Sequence, residues 1–250
     1  HPEFADQYVL LGDPALDIKL WPLPTPLSYA CSAEIEESPV LQDSVLLRTG
    51  GISNDNLRVL NRAVGVAPLV DERMLRVSAQ DALGTASAIE WKLQDLSLSI
   101  TRNMILSYWM NLQTSPSANG HVVVDANTTA GRLKDRVDVF TQDRVSLDAK
   151  QRPAASPGWK CYYADLSPLE GATLLDLRVR YESTTAADSG SLVAYLDDIR
   201  VRRHETDDSQ ELLNPSFEED VDGDGTPEFW TNLAGETTTL NVIRSRNVKV

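Results

Sequence analysis

Long apolar runs are missing from this 250-residue chain: nothing in it approaches the ~18 consecutive apolar residues of a helical membrane span, so membrane insertion by a helix is not expected. The opening residues, HPEFADQYVL, lack the basic start and apolar run of a signal peptide. Because His1 is not an initiator, the chain is expected to be a mature or excised fragment with any export signal upstream. Basic residues are in deficit: 23 Lys and Arg against 37 Asp and Glu give a net charge of −14, which repels nucleic acid and anionic lipid and favours cations. Cysteine is scarce. Cys31 and Cys161 would close a loop of about 130 residues, worth about 4–5 kcal/mol if bonded, and otherwise are two buried thiols. Of the three histidines only His121 falls in the main body. There is no Gly-x-Ser-x-Gly elbow, glycine-rich phosphate loop, paired-histidine zinc motif or Cys/His set, so each hydrolase reading lacks a partner residue and the chain itself is expected not to be an enzyme.

What is present is period-two alternation. In Asp176 to Glu182, Leu177, Val179 and Tyr181 share one face and four charged residues share the other. The same reading turns Leu75, Val77 and Ala79 inward in MLRVSAQ, and Ile89, Trp91 and Leu93 inward in AIEWKLQ. The fold class is therefore all-β, an antiparallel β-sandwich of jelly-roll type with short flanking segments. Pro22, Pro24 and Pro26 mark a stiff linker at residues 21–27, and the polar run RRHETDDSQE marks another at 204–211. The divisions are 1–20, 21–27, a main sandwich at 28–203, 204–211 and 212–250.

Candidate ligand residues come from the same alternation. In Met104 to Gln113 the inward set is Met104, Leu106, Tyr108, Met110 and Leu112, which leaves Ser107, Trp109, Asn111 and Gln113 on the other face. An indole beside amides suits a sugar, whose apolar face stacks on the ring while its hydroxyls meet the amides. The alternative is a loop or neighbouring domain lying over Trp109. Tyr162, from GWKCYYADL, joins Trp109, Asn111 and Gln113 in the candidate ligand set, with Trp159, Cys161 and Tyr163 on the opposite side of that strand.

In SLVAYLDDIRV, alternation groups Asp197 with Val193, Tyr195, Ile199 and Val201 on an inward face. A buried carboxylate needs a partner: calcium, an arginine or a cluster of backbone amides. Further on, Asp220, Asp222 and Asp224 followed by Gly225 match the first six positions of a calcium loop, with the Thr226 carbonyl and Glu228 next in order. The twelfth position is Thr231 and no helix flanks it, so it is not an EF-hand; structural calcium or a solvated acidic turn are the two readings.

HVVVDANTTAGRLKD, GWKCYYADLSPLEGATLLDLRVRYES and SGSLVAYLDDIRV together resemble the back half of carbohydrate-binding-module-like, galactose-binding-like jelly rolls. The resemblance implies glycan binding and, at the Asp-Asp strand, a structural calcium site that includes Asp197. LLNPSFEEDVDGDGTPEFW looks like the opening of a second such module, with Glu218 as its early acidic ligand. FADQYVLLGDPALDIKL is similar to the closing strand of a gingipain-type cysteine peptidase domain, which implies a secreted or cell-surface parent whose catalytic residues lie upstream. The expected function is a non-catalytic extracellular region that binds glycan or a cell-surface polysaccharide, or attaches its parent to a surface, alongside neighbouring domains of that parent. The alternatives are a structural spacer without ligand, or a fragment of an active cysteine peptidase.

Overall fold

A computed structural model describes residues 45–60, 63, 65–116, 122–148, 158–203, 212 and 215–218. Its strands are β1 (Val45–Thr49), β2 (Ser53–Leu60), β3 (Met74–Asp81), β4 (Ala88–Ser99), β5 (Ile105–Thr114), β6 (Val122–Thr128), β7 (Gly131–Arg132), β8 (Lys160–Asp165), β9 (Thr173–Glu182) and β10 (Gly190–Arg202). Two five-stranded sheets result, in the orders β1-β4-β9-β6-β7 and β2-β3-β10-β5-β8, hereafter the β4 sheet and the β5 sheet.

The pairing explains the architecture. β3 pairs with β10, β4 with β9, β5 with β8 and β6 with β7, all antiparallel. Four nested pairs are one long hairpin; wrapped so that alternate pairs fall in opposite sheets, it is a jelly roll, and β1 and β2 extend its edges. The chain crosses between the sheets from β1 to β2 at Gly50 and Gly51. Gly50 has φ +71°, and a Cβ there would lie 2.6 Å from the Ala86 carbonyl oxygen, so only glycine fits this crossing.

Period-two burial fills the space between the sheets. Leu75, Val77 and Ala79 from β3, Ile89, Trp91 and Leu93 from β4, Leu106 to Leu112 at alternate positions of β5, and Leu177, Val179 and Tyr181 from β9 share one core. Each fully buried aliphatic or aromatic side chain contributes about 1.5–3 kcal/mol relative to exposure. Tyr181, whose ring lies in this core, donates its hydroxyl to Asp81 Oδ2 at 2.8 Å and so ties β9 to β3 across the sandwich.

The strand β10 departs from simple alternation. Leu192, Ala194 and Leu196 face the core, and then the register against β5 slips between Asp197 and Arg200, where Asp198 takes φ +50°. This β-bulge reverses the parity, so that Ile199 and Val201 also face the core. Asp197 is thus buried on the outer side of the sheet, with Tyr195, rather than on the inward face that strict alternation implies. What covers that side is a second cluster of Leu60, Ala63, Val66, Met74 and Tyr195, joined by Trp159 and Val193. Leu212 and Phe217 belong to the main core, so chain beyond the polar stretch at 204–211 helps to fill this sandwich.

Candidate functional site

β5 places its side chains as its alternation dictates. Tyr108 and its neighbours at even positions are buried in the core, while Trp109 stands on the outer face, half-buried. Register fixes its surroundings: Asp197 on β10 and Cys161 on β8 lie directly across from it, and Ser107, one step along the same face, sits opposite Arg200 and Tyr163. Directly opposed side chains have Cβ atoms about 4.5–5.5 Å apart, so this patch is one continuous surface.

Its polar groups are held in place. Asn111 is 5% exposed, and its Oδ1 accepts from Gln113 Nε2 at 2.6 Å and from the Gly158 N–H at 3.0 Å. Trp159 donates its indole N–H to the Ala67 carbonyl at 3.1 Å, which anchors that ring to the β2–β3 loop. Of the two tryptophans on this side, Trp159 is therefore committed to the second cluster and Trp109 borders it.

Tyr162 requires a correction. It pairs with Tyr108 and stacks on it, with ring centroids 5.5 Å apart and planes at 20°, and it packs on the main core. It lies on the opposite side of the sheet from Trp109, Asn111 and Gln113 and cannot share a ligand with them. The face of β8 that does adjoin Trp109 carries Cys161 and Tyr163. Cys31 lies outside the described residues.

Asp197 is fully buried, and its Oδ2 accepts from the Leu69 N–H at 2.8 Å and the Val70 N–H at 2.9 Å. Of the three partners open to this carboxylate, backbone amides are those present. Burial pushes its pKa up to about 6, outweighing the hydrogen bonds from Val70 and Leu69. Glu218 does the same for the next turn of the loop: its Oε1 accepts from Glu72 N–H at 2.9 Å and Arg73 N–H at 2.5 Å. Asp197 Oδ1 is buried without a hydrogen-bond partner and is the oxygen a cation or water would use. Among the described residues no group of three or more His, Cys, Asp or Glu is placed to hold a metal ion. Asp220, Asp222, Asp224, Thr226 and Glu228 lie outside the described residues, as does the peptidase-like segment 1–20.

The outer face of the β4 sheet is built differently. Glu90, 2% exposed, receives Arg178 Nη1 at 2.6 Å, Arg180 Nη1 at 2.8 Å and Arg132 Nη2 at 2.8 Å. Arg132 also pairs with the buried Asp125, Arg178 with Asp176 and Arg180 with Glu182. Burial raises the pKa of Glu90, but its bonds to Arg178, Arg132 and Arg180 prevail and hold it below the usual carboxylate range. Asp125, buried more completely, is pushed up despite Arg132.

Alternation located Trp109, Asn111 and Gln113. It did not find the Leu69 and Val70 amides, since any residue carries an N–H, nor the arginines converging on Glu90 from separate strands. The charged outer face of β9 was the only advance signal of the latter.

No family model matches the chain, and no curated protein matches it. Among solved structures, the glycoside hydrolase domain of Endo-D from Streptococcus pneumoniae R6 overlaps 64% of the chain at 15% identity and a TM-score of 0.40. A structure described as showing the promiscuous specificity of carbohydrate-binding modules from the β-sandwich superfamily overlaps 66% at 14% identity and a TM-score of 0.39. The chain spans 22% of the first protein's length and 61% of the second's. Overlaps of this size carry neither fold nor function, which rest on the pairing and geometry described above.

Proposed function

We propose that this chain is a non-catalytic, extracellular β-sandwich region of a larger secreted or cell-surface protein, and that it binds glycan on the outer face of β5. The observation that supports this most is Trp109: a partly buried indole on the outer face of a sheet whose neighbours are Ser107, Asn111, Gln113 and, across the strands, Tyr163 and Arg200. A flat apolar ring offers a stacking platform to a pyranose, and the partly exposed Gln113, Tyr163 and Arg200 beside it offer amide, hydroxyl and guanidinium groups to its hydroxyls, while the buried Ser107 and Asn111 support them from below. The amides are pre-positioned by their own hydrogen bonds, which reduces the entropy lost on binding. A glycan array probed with the full chain tests the reading; binding to at least one polysaccharide class is expected, and a blank array would overturn it.

A spacer role is favoured by a different observation, the seating of Leu212 and Phe217 in the sandwich core, which ties these residues to this domain. Calcium is proposed as a structural ion of the Asp220 to Glu228 loop, where three alternate carboxylates repel one another without a cation. The gingipain-type parent rests on FADQYVLLGDPALDIKL alone, and the mass of the full precursor tests it.

A further inference from the structure

Beyond its bulge, β10 carries two arginines on the side of the sheet where Trp109 stands. Val201 belongs to the main core, so Arg200 and Arg202, one on either side of it, project from the outer face. Register sets Arg200 directly across from Ser107 and Arg202 directly across from Ile105, two and four residues along β5 from Trp109. At the rise of a strand those are separations of about 7 and 13 Å. Both guanidiniums therefore flank the stretch of sheet over which a sugar stacked on the indole would extend.

The carboxylates on this side are already engaged. Asp198 accepts from Arg200 Nε at 2.5 Å, which fixes that side chain and leaves its two Nη groups without a partner among the described residues. Asp165, the β8 neighbour of Ile105, accepts from the Ser167 N–H at 2.8 Å and from its hydroxyl at 2.5 Å. Asp197 is buried and taken up by the Leu69 and Val70 amides. Arg202 is left over. It is partly buried, its Nε is shut off from solvent, and no acceptor among the described residues meets it. On the other sheet Arg132, Arg178 and Arg180 each have a carboxylate. Buried donors are normally hydrogen-bonded, so a guanidinium unmet by the protein is a place for an acceptor from outside it.

The planar fork of a guanidinium matches a carboxylate in shape, and the hydrogen bonds between them are charge-assisted. The charge of the chain limits how many such groups the ligand carries. At −14 the protein repels a polyanion, whereas the attraction of Arg202 for one carboxylate in contact acts well inside the screening length of about 8 Å. We propose that the glycan bound on the outer face of β5 carries an isolated acidic sugar on an otherwise neutral chain, with a neutral ring stacked on Trp109 and the carboxylate held by Arg202 and the Nη groups of Arg200. This rests on the glycan-binding reading and adds the class of ligand to it.

The test is an array in which each acidic oligosaccharide is printed beside the same oligosaccharide with its carboxyl reduced to an alcohol, probed with the native full chain and with Arg202→Gln. At least one acidic member should bind about tenfold or more tightly than its reduced counterpart, because charge-assisted hydrogen bonds go with the carboxylate, and Arg202→Gln should narrow that gap. Equal binding of acidic and reduced members, a preference for polyuronates over singly charged chains, or a gap that Arg202→Gln leaves intact would overturn this proposal while glycan recognition at Trp109 stands. A blank array would overturn both. The comparison of acidic with reduced members uses the native chain alone, so it decides the matter even where Arg202→Gln does not fold.

Discussion

The two outer faces of the sandwich are made of the same kind of strand and yet are furnished differently. On the β4 sheet, Glu90 and Asp125 are almost wholly buried and are met by Arg132, Arg178 and Arg180, so the charged groups there spend their valence on one another. On the β5 sheet, the amides of Asn111 and Gln113 share the face around a partly buried indole with the Asp197 carboxylate and the Arg200 guanidinium, and no arginine among the described residues pairs with Asp197. An internally paired charge network gives rigidity and leaves little for a ligand to satisfy. An aromatic platform contributes less to the fold and keeps a surface on offer. The comparison points to stability at the β4 face and leaves recognition at the β5 face as the proposal to be tested.

The largest test removes Glu90. Glu90→Ala leaves three guanidiniums facing one another at a buried position, and urea unfolding should show a loss of about 3–5 kcal/mol, whereas Trp109→Ala should cost about 1 kcal/mol or less. Equal losses would erase the division between the faces.

A second test uses pH. Asp197 has a folded pKa of about 6 against about 3.9 unfolded, so the folded state holds the proton more tightly. Its contribution is fully present below about pH 4 and is lost as pH rises through 6, about 3 kcal/mol in all. Asp197→Asn removes this dependence. In calcium-free buffer the stability of the native chain relative to the variant should therefore fall between pH 4 and pH 7, and an unchanged difference would contradict the burial assigned to this carboxylate.

Smaller still is the effect of divalent ions. If the acidic loop holds calcium, chelator should lower the melting temperature by several degrees, as expected for an ion bound only by the folded state, and an identical melting curve would count against the metal. At the bottom of the scale is Arg48, which pairs with Asp55 at 2.6 Å on the edge of the sandwich and is half-exposed. Arg48→Ala should give no resolvable change in melting temperature, in contrast to Glu90→Ala, and a clear drop would mean that exposed pairs matter here as much as buried ones.

Much of this was legible in local pattern. In β5 and β9 one parity is apolar and the other polar, so Tyr108, Val179 and Tyr181 could be turned inward and Trp109 outward without any knowledge of pairing. β10 resisted because both of its parities are apolar: Leu192, Ala194 and Leu196 compete with Val193 and Tyr195, and nothing but the doubled Asp197-Asp198 marks where the strand bulges and changes sides. Tyr162 was misplaced for a related reason, since aromatic residues occupy both faces of β8 and only its pairing with Tyr108 decides between them. The amide cradles around Asp197 and Glu218 join residues more than a hundred positions apart through backbone N–H groups, which no side-chain pattern encodes.

The most direct measurement is retardation of the full chain in gels containing each polysaccharide that the array identifies, run with Trp109→Ala and with Lys92→Ala, a substitution on the outer face of the β4 sheet. Retardation by the native chain, its loss in Trp109→Ala and its retention in Lys92→Ala are expected. Unaltered retardation of Trp109→Ala, or its loss in Lys92→Ala, would contradict the assignment of recognition to the β5 face.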